Sequence, residues 1–180
     1  MKVTSIRPSE ASLFQLRLSN PKVWLQRSKS LVRSANVMWP SVKQELSNLT
    51  EPTEEESEAP VLDVYLMLVG YACELGIKAR IVRKLQRGKP HQIIGDEMIP
   101  PELKSHNLIS LCKTANLYVD SQEEDALKLL SKTLLWRGRY PIPTNATALT
   151  PTYFLASRIN RMAAFLSRVS RGHLCLRTND

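Results

Sequence analysis

Two arginines stand between two large aromatics in the run Trp136-Arg137-Gly138-Arg139-Tyr140. A guanidinium fork can bind phosphate oxygens in bidentate fashion, and an aromatic ring can stack on a base. These five residues therefore have the chemistry of a nucleotide or RNA contact. They fit a plain corner equally: Trp136 and Tyr140 would anchor the turn while Arg137 and Arg139 meet the carbonyls ending the preceding helix.

The proton carriers available near neutral pH are His91, His106 and His173. His91, between Pro90 and Gln92, reads as an exposed loop residue. His106 falls where a helix should start, so it caps or packs there, or lines a site near the end of a bundle. No HExxH or paired HxH spacing joins the histidines, and no metal site is expected. Glu74 and Lys78 stand four residues apart and can pair on one helix; if that face turns inward they become a buried ion pair.

Cys73, Cys112 and Cys175 are an odd set without a CxxC spacing, which argues against a disulfide framework and against zinc. Cys175, in the tail, reads as the most accessible thiol, but no paired His makes it a nucleophile. There is no GxxxxGK[ST] loop, GxGxxG turn or GxSxG elbow, so kinase-like, dinucleotide-binding and hydrolase classes lack support and no cofactor is expected.

The elements that must position these residues read as helices. Asn20-Pro21 is a helix opening. Trp24, Leu31, Ala35, Met38, Val42, Leu46 and Leu49 then recur at helical spacing. Pro40 lacks a backbone donor and predicts a split into helices over 21–38 and 41–49. Residues 51–59 form an acidic loop that can cap the next helix through its dipole. Pro60 opens the longest helix, 60–87, with Leu62, Tyr65, Leu66, Val69, Cys73, Ile77, Ile81 and Leu85 on its buried face. It is apolar nearly all round in its first half, as a central helix should be. Gly70 and Gly76 mark close packing there. Residues 88–104 read as loop. Ser105 or His106 starts a helix to about 117, Ser121-x-x-Glu124 is a capping box for a helix over 122–136, and Pro151 opens a last helix over 151–171, stopped by Gly172. No segment shows strand alternation. The expected fold is an all-α bundle of five to six helices in a single domain spanning 1–180.

The chain has 180 residues, 43% of them apolar, enough for one sizeable core. Its net charge of +8 is unevenly spread. Residues 1–50 hold eight Lys/Arg against Glu10 and Glu45, residues 51–58 hold five acids and no base, and residues 158–177 hold five arginines and no acid. Such basic ends permit contact with a polyanion, nucleic acid first, and also fit helix faces that are merely solvated. No apolar stretch is long enough to span a bilayer, and the first dozen residues lack the apolar core of a secretory signal, so a cytoplasmic address without membrane attachment is expected.

The segment Leu66–Ala79, LMLVGYACELGIKA, places Tyr71, Glu74 and Lys78 in order. Ser105-His106-Asn107-Leu108-Ile109-Ser110-Leu111 follows after a loop. This order resembles the HEPN superfamily (higher eukaryotes and prokaryotes nucleotide-binding helical bundles) over roughly residues 60–140. The resemblance implies an up-and-down bundle that usually dimerises. Many members are metal-independent ribonucleases of toxin–antitoxin or phage-defence systems, and others bind nucleotides, RNA or proteins without catalysis. Active members carry an Arg, four to six intervening residues and a His late in the bundle, the Arg stabilising phosphate charge and the His handling a proton. Arg168 and His173 match that spacing and are the implied catalytic pair. Val169 follows the Arg where a polar residue is the pattern, and Gly172 closes the helix just before His173.

Three functions follow. The first is an RNA-directed, HEPN-like protein, an endoribonuclease in its catalytic form, with Arg168 and His173 for chemistry and Arg137, Arg139, Trp136, Tyr140 and His106 as substrate contacts. The second is a non-catalytic interaction module or adaptor that holds a polyanion or a protein partner such as an antitoxin. The third is a structural subunit whose helix faces bind protein alone. A homodimer is expected from the resemblance.

Overall fold

A computed structural model of the chain describes residues 10–48, 60–88, 99–137 and 156–170. Among these residues all regular structure is helical: α1 (Glu10–Ser19), α2 (Pro21–Asn48), α3 (Pro60–Gly88), α4 (Pro101–Lys104), α5 (Leu108–Thr114), α6 (Ser121–Lys132) and α7 (Ala156–Ser170). A π-helical turn, Thr133–Arg137, continues α6. The all-α class is therefore as expected, with two short helices, α1 and α4, beyond the five to six expected elements.

α3 is the axis of the bundle, and α2, α5, α6, the π-helical turn and α7 all pack on it. Tyr65, Val69, Ala72, Cys73, Ile77 and Val82 of α3 are fully buried, as its apolar pattern requires. The shared core adds Ala35 and Val42 from α2, Leu108 and Leu111 from α5, Leu127 and Leu130 from α6, and Phe165 and Leu166 from α7. Both α3 glycines are close approaches. A Cβ on Gly70 would lie 3.0 Å from Leu134 Cγ, and one on Gly76 would lie 3.3 Å from Val169 Cγ1. The two neighbours settle against α3 at these points because no side chain intervenes.

α2 runs antiparallel to α3. Ser28 Oγ donates to the Ala72 carbonyl at 2.7 Å, Trp39 meets Tyr65 with ring centroids 5.5 Å apart, and Gln86 Nε2 donates to the Ser19 carbonyl. The carboxylate of Glu45 receives the backbone N–H groups of Val61 and Leu62 at 3.1 and 2.8 Å. An anion at a helix N-terminus satisfies orphan donors and complements the dipole. The acidic loop read as that cap, 51–59, lies outside the described residues.

Four boundaries differ from the sequence reading. α2 is one helix with Pro40 inside it, not two. Pro40 is exposed between buried Trp39 and Val42, so water can take the place of the missing donor while the apolar face continues unbroken. α5 begins at Leu108 rather than at Ser105 or His106, because Asn107 is the cap: its Oδ1 accepts from Ser110 N at 2.9 Å. The capping box is Asp120-x-x-Glu123, one residue before the Ser121-x-x-Glu124 expected, and regular α6 stops at Lys132 where the π-helical turn begins. α4 lies inside the stretch read as loop. The last helix is described over Ala156–Ser170; Phe154, Leu155 and Gly172 lie outside the described residues.

Candidate functional site

Glu74 and Lys78 face inward near the middle of α3. Their side chains are 4% and 6% exposed, and Lys78 Nζ donates to Glu74 Oε1 at 2.6 Å. A buried carboxylate and ammonium in a core must be paired, and here each neutralises the other. The second carboxylate oxygen, Oε2, lies 2.9 Å from Nδ1 of His106, whose side chain is 48% exposed.

A carboxylate paired with an ammonium can only accept, so the short contact requires Nδ1 of His106 to carry the proton. In the neutral ring that leaves Nε2 as the lone-pair nitrogen, and Nε2 has no hydrogen-bond partner among the described residues. A buried carboxylate orienting a half-exposed imidazole is the arrangement of a general base, the carboxylate fixing tautomer and ring direction.

The fold places this histidine with three local devices. Ser105 Oγ accepts from Asn107 N at 3.1 Å and the Asn107 side chain caps α5, which sets the entry of the strand-like segment carrying His106. Leu108 N, two residues on, donates to Ser131 Oγ at 3.1 Å, tying the start of α5 to the last turn of α6. The π-helical turn follows directly from that last turn, and π-turns are frequent at functional sites. The side chains of Trp136 and Arg137 and all of Arg139 and Tyr140 lie outside the described residues, as do His91, Cys175 and His173.

Arg168, the implied catalytic arginine, is engaged elsewhere. Its guanidinium is paired with the Glu123 carboxylate, donates to the Tyr118 carbonyl at 2.9 Å, and stacks 5.3 Å from the Phe165 ring centre. Glu123 is the capping-box residue of α6, so this ion pair fastens α7 to the α5–α6 junction. Arg80 holds the same end of α7, donating to the carbonyls of Val169 and Arg168, both at 2.7 Å. Arg168 and His106 thus belong to separate clusters and are not brought together.

The described thiols are buried and inert. Desolvation raises both; the Cys112 thiol is pushed up to about 12 despite the opposing pull of Arg168, and neighbouring Cys112 adds to the rise at Cys73. No group of described residues could hold a metal ion, and no helix among the described residues is long and apolar enough to cross a membrane.

What sequence reasoning missed is the meeting of His106 with Glu74, 32 residues apart. The i,i+4 spacing of Glu74 and Lys78 was visible, but nothing local signals which later residue closes on them. No protein-family model, curated protein or solved structure matches the chain.

Proposed function

We propose that this chain is a HEPN-like, RNA-directed bundle that cleaves RNA without a metal ion, with His106 as its general base. The observation that carries the reading is the half-exposed imidazole of His106 held through Nδ1 by the buried Glu74–Lys78 pair. His106 Nε2 takes the proton of a ribose 2′-OH. The 2′-oxygen bonds to the adjacent phosphorus, the bond from phosphorus to the 5′-oxygen breaks, and that oxygen leaves with a proton from solvent. A 2′,3′-cyclic phosphate and a 5′-hydroxyl end result. Glu74 is a positioning residue, and Lys78 holds Glu74. Arg137, the last residue of the π-helical turn, and Arg139, two residues on in the sequence, are proposed phosphate contacts, with Trp136 and Tyr140 for a base.

This reading gives the chemistry to His106 rather than to Arg168 and His173, because the Arg168 charge is taken up by Glu123. The test is incubation with a labelled mixed-sequence RNA in EDTA, using wild type, His106→Ala and His173→Ala. The expected result is cleavage that survives EDTA and His173→Ala and falls about 100-fold or more in folded His106→Ala, the scale of general-base catalysis. Loss in His173→Ala alone would move the chemistry to the Arg168–His173 motif. Absence of cleavage in the wild type would leave the non-catalytic adaptor reading, which the lack of any acid between Glu10 and Glu45 favours. The homodimer and an antitoxin-type partner rest on the HEPN resemblance alone, and sedimentation of the purified chain and co-purification test them.

A further inference from the structure

α2 and α7 both pack on α3 but barely on each other, leaving a groove between them. At one end it widens to a cavity of about 630 Å³ lined by Trp39, Lys43, Gln44, Ser47, Ile159 and Asn160. These lining residues show which flank of α2 faces α7. Lys22, Lys29, Arg33, Asn36, Lys43 and Ser47 recur at spacings of three, four and seven, with exposed Pro40 between Asn36 and Lys43, and so occupy that same flank. The row runs roughly 37 Å at about 1.5 Å per residue.

The charge of the two walls is one-sided. Between Glu10 and Glu45 the chain has no acid, and α7 has none. Glu45 itself is taken up by the start of α3. Lys22, Lys29 and Arg33 are exposed, and none of them pairs with a carboxylate among the described residues. On the α7 wall, Asn160, Ala163 and Ser167 are small or amide side chains at helical spacing, which keeps the groove open. Its floor at the cavity is apolar through Trp39 and Ile159, while Gln44 and Asn160 offer amide donors and acceptors. The indole Nε1 of Trp39 is buried without a partner.

We infer that this groove is a docking track for single-stranded RNA, with the phosphates along Lys22, Lys29 and Arg33 and a base in the cavity between Gln44 and Asn160. A row of cations beside a partly apolar slot with amide edges fits an unpaired strand, whose bases can turn into the slot; a duplex presents only backbone. The inference rests on the RNA-directed reading for its ligand but not on His106, which lies on the opposite side of α3. The groove therefore holds a different part of the strand from the one cleaved.

The test is fluorescence anisotropy with a labelled single-stranded oligoribonucleotide over a salt series. Lys22→Gln/Lys29→Gln/Arg33→Gln should lower the slope of log affinity against log salt by about 2, since each neutralised phosphate contributes about 0.7 for a single strand. Lys113→Gln/Lys128→Gln, on α5 and α6, should leave the slope unchanged. Asn160→Trp, which fills the cavity, should weaken binding about tenfold with the slope kept, because base contacts release no counterions. These substitutions are at exposed positions, and circular dichroism confirms the fold. An unchanged slope in the triple variant, equal affinity for a duplex of the same length, or no binding by the wild type at low salt would each overturn the proposal. Binding that persists in His106→Ala supports it, even where that variant shows no cleavage. Cleavage that is indifferent to the triple variant would overturn the groove and leave the His106 reading standing.

Discussion

Among the described residues two carboxylates are buried with basic partners, Glu74 and Glu123, and they are spent differently. Glu123 is given to structural duties: its Oε2 accepts from the Asp120 backbone N–H, completing the capping box of α6, and from the Arg168 guanidinium arriving from α7. Both contacts join parts of the bundle to each other. Glu74 sits in mid-helix, where the backbone needs no side-chain acceptor. One of its oxygens balances Lys78, and the other is given to a titratable ring that reaches solvent. A carboxylate that caps and clamps explains itself by stability. A carboxylate buried in the axis of the bundle to hold a half-exposed imidazole does not, because apolar residues would fill that space at no greater cost.

The sharpest way to break this comparison is to remove the carboxylates in turn. Glu74→Ala leaves the Lys78 ammonium buried without a counter-charge, and urea unfolding should show a loss of about 3–5 kcal/mol. The double replacement Glu74→Leu/Lys78→Met should recover most of it. A single-variant cost no larger than that of a surface substitution would mean that Lys78 escapes to solvent and the pair is not a fixed mount.

Arg168→Ala should cost less, about 1.5–3 kcal/mol, the range for hydrogen bonds to a charged group. The folded protein should still cleave RNA; cleavage lost with the fold intact would mean that the second cluster is not merely structural. Asp120→Ala, which removes the other half of the capping box, should cost about 1 kcal/mol in the same unfolding measurement. His106→Ala should change stability by less than about 1 kcal/mol, because the ring is half exposed and the Glu74–Lys78 pair survives without it. A large loss there would recast His106 as a structural residue.

The two thiols beside the clusters report on their closure with the smallest perturbation. Both have raised pKa values through burial, so at pH 8 they stay protonated, and the thiolate is the reacting species. Mass spectrometry after iodoacetamide treatment of the native protein should find Cys73 and Cys112 unlabelled, and both labelled in denaturant. Native labelling of Cys112 but not Cys73 would show the Arg168 side opening first.

How much of this was legible in the sequence follows from range. The buried face of α3 could be read from Leu62 to Ile81 because the pattern repeats over many turns, although Leu85 is only partly buried and Ala72, Ala79 and Val82 are buried beside that face; Gly70 and Gly76 were recognisable as close approaches. α1 escapes the sequence reading because its apolar residues, Leu13, Phe14, Leu16 and Leu18, spread round the helix without marking one face, and only Leu18 is buried. Pro40 was overweighted, since a missing donor matters less on a solvent face than in a core. The capping box slipped by one residue because Asp120-x-x-Glu123 and Ser121-x-x-Glu124 both satisfy the pattern, and only the path of the incoming chain selects between them. Arg168 meets Glu123 across 45 residues, and Glu74 meets His106 across 32. Such meetings are products of packing, with no local signal in either partner.

The central claim, that Glu74 holds His106 with its proton inward and Nε2 free, is tested most directly by nitrogen-15 NMR of the histidine ring in the native protein above its titration. The account predicts the Nδ1–H tautomer for His106, with Nε2 unprotonated, and return to the mixed tautomers of a free imidazole in Glu74→Leu/Lys78→Met. An Nε2–H tautomer in the wild type, or a spectrum indifferent to loss of Glu74, would contradict it.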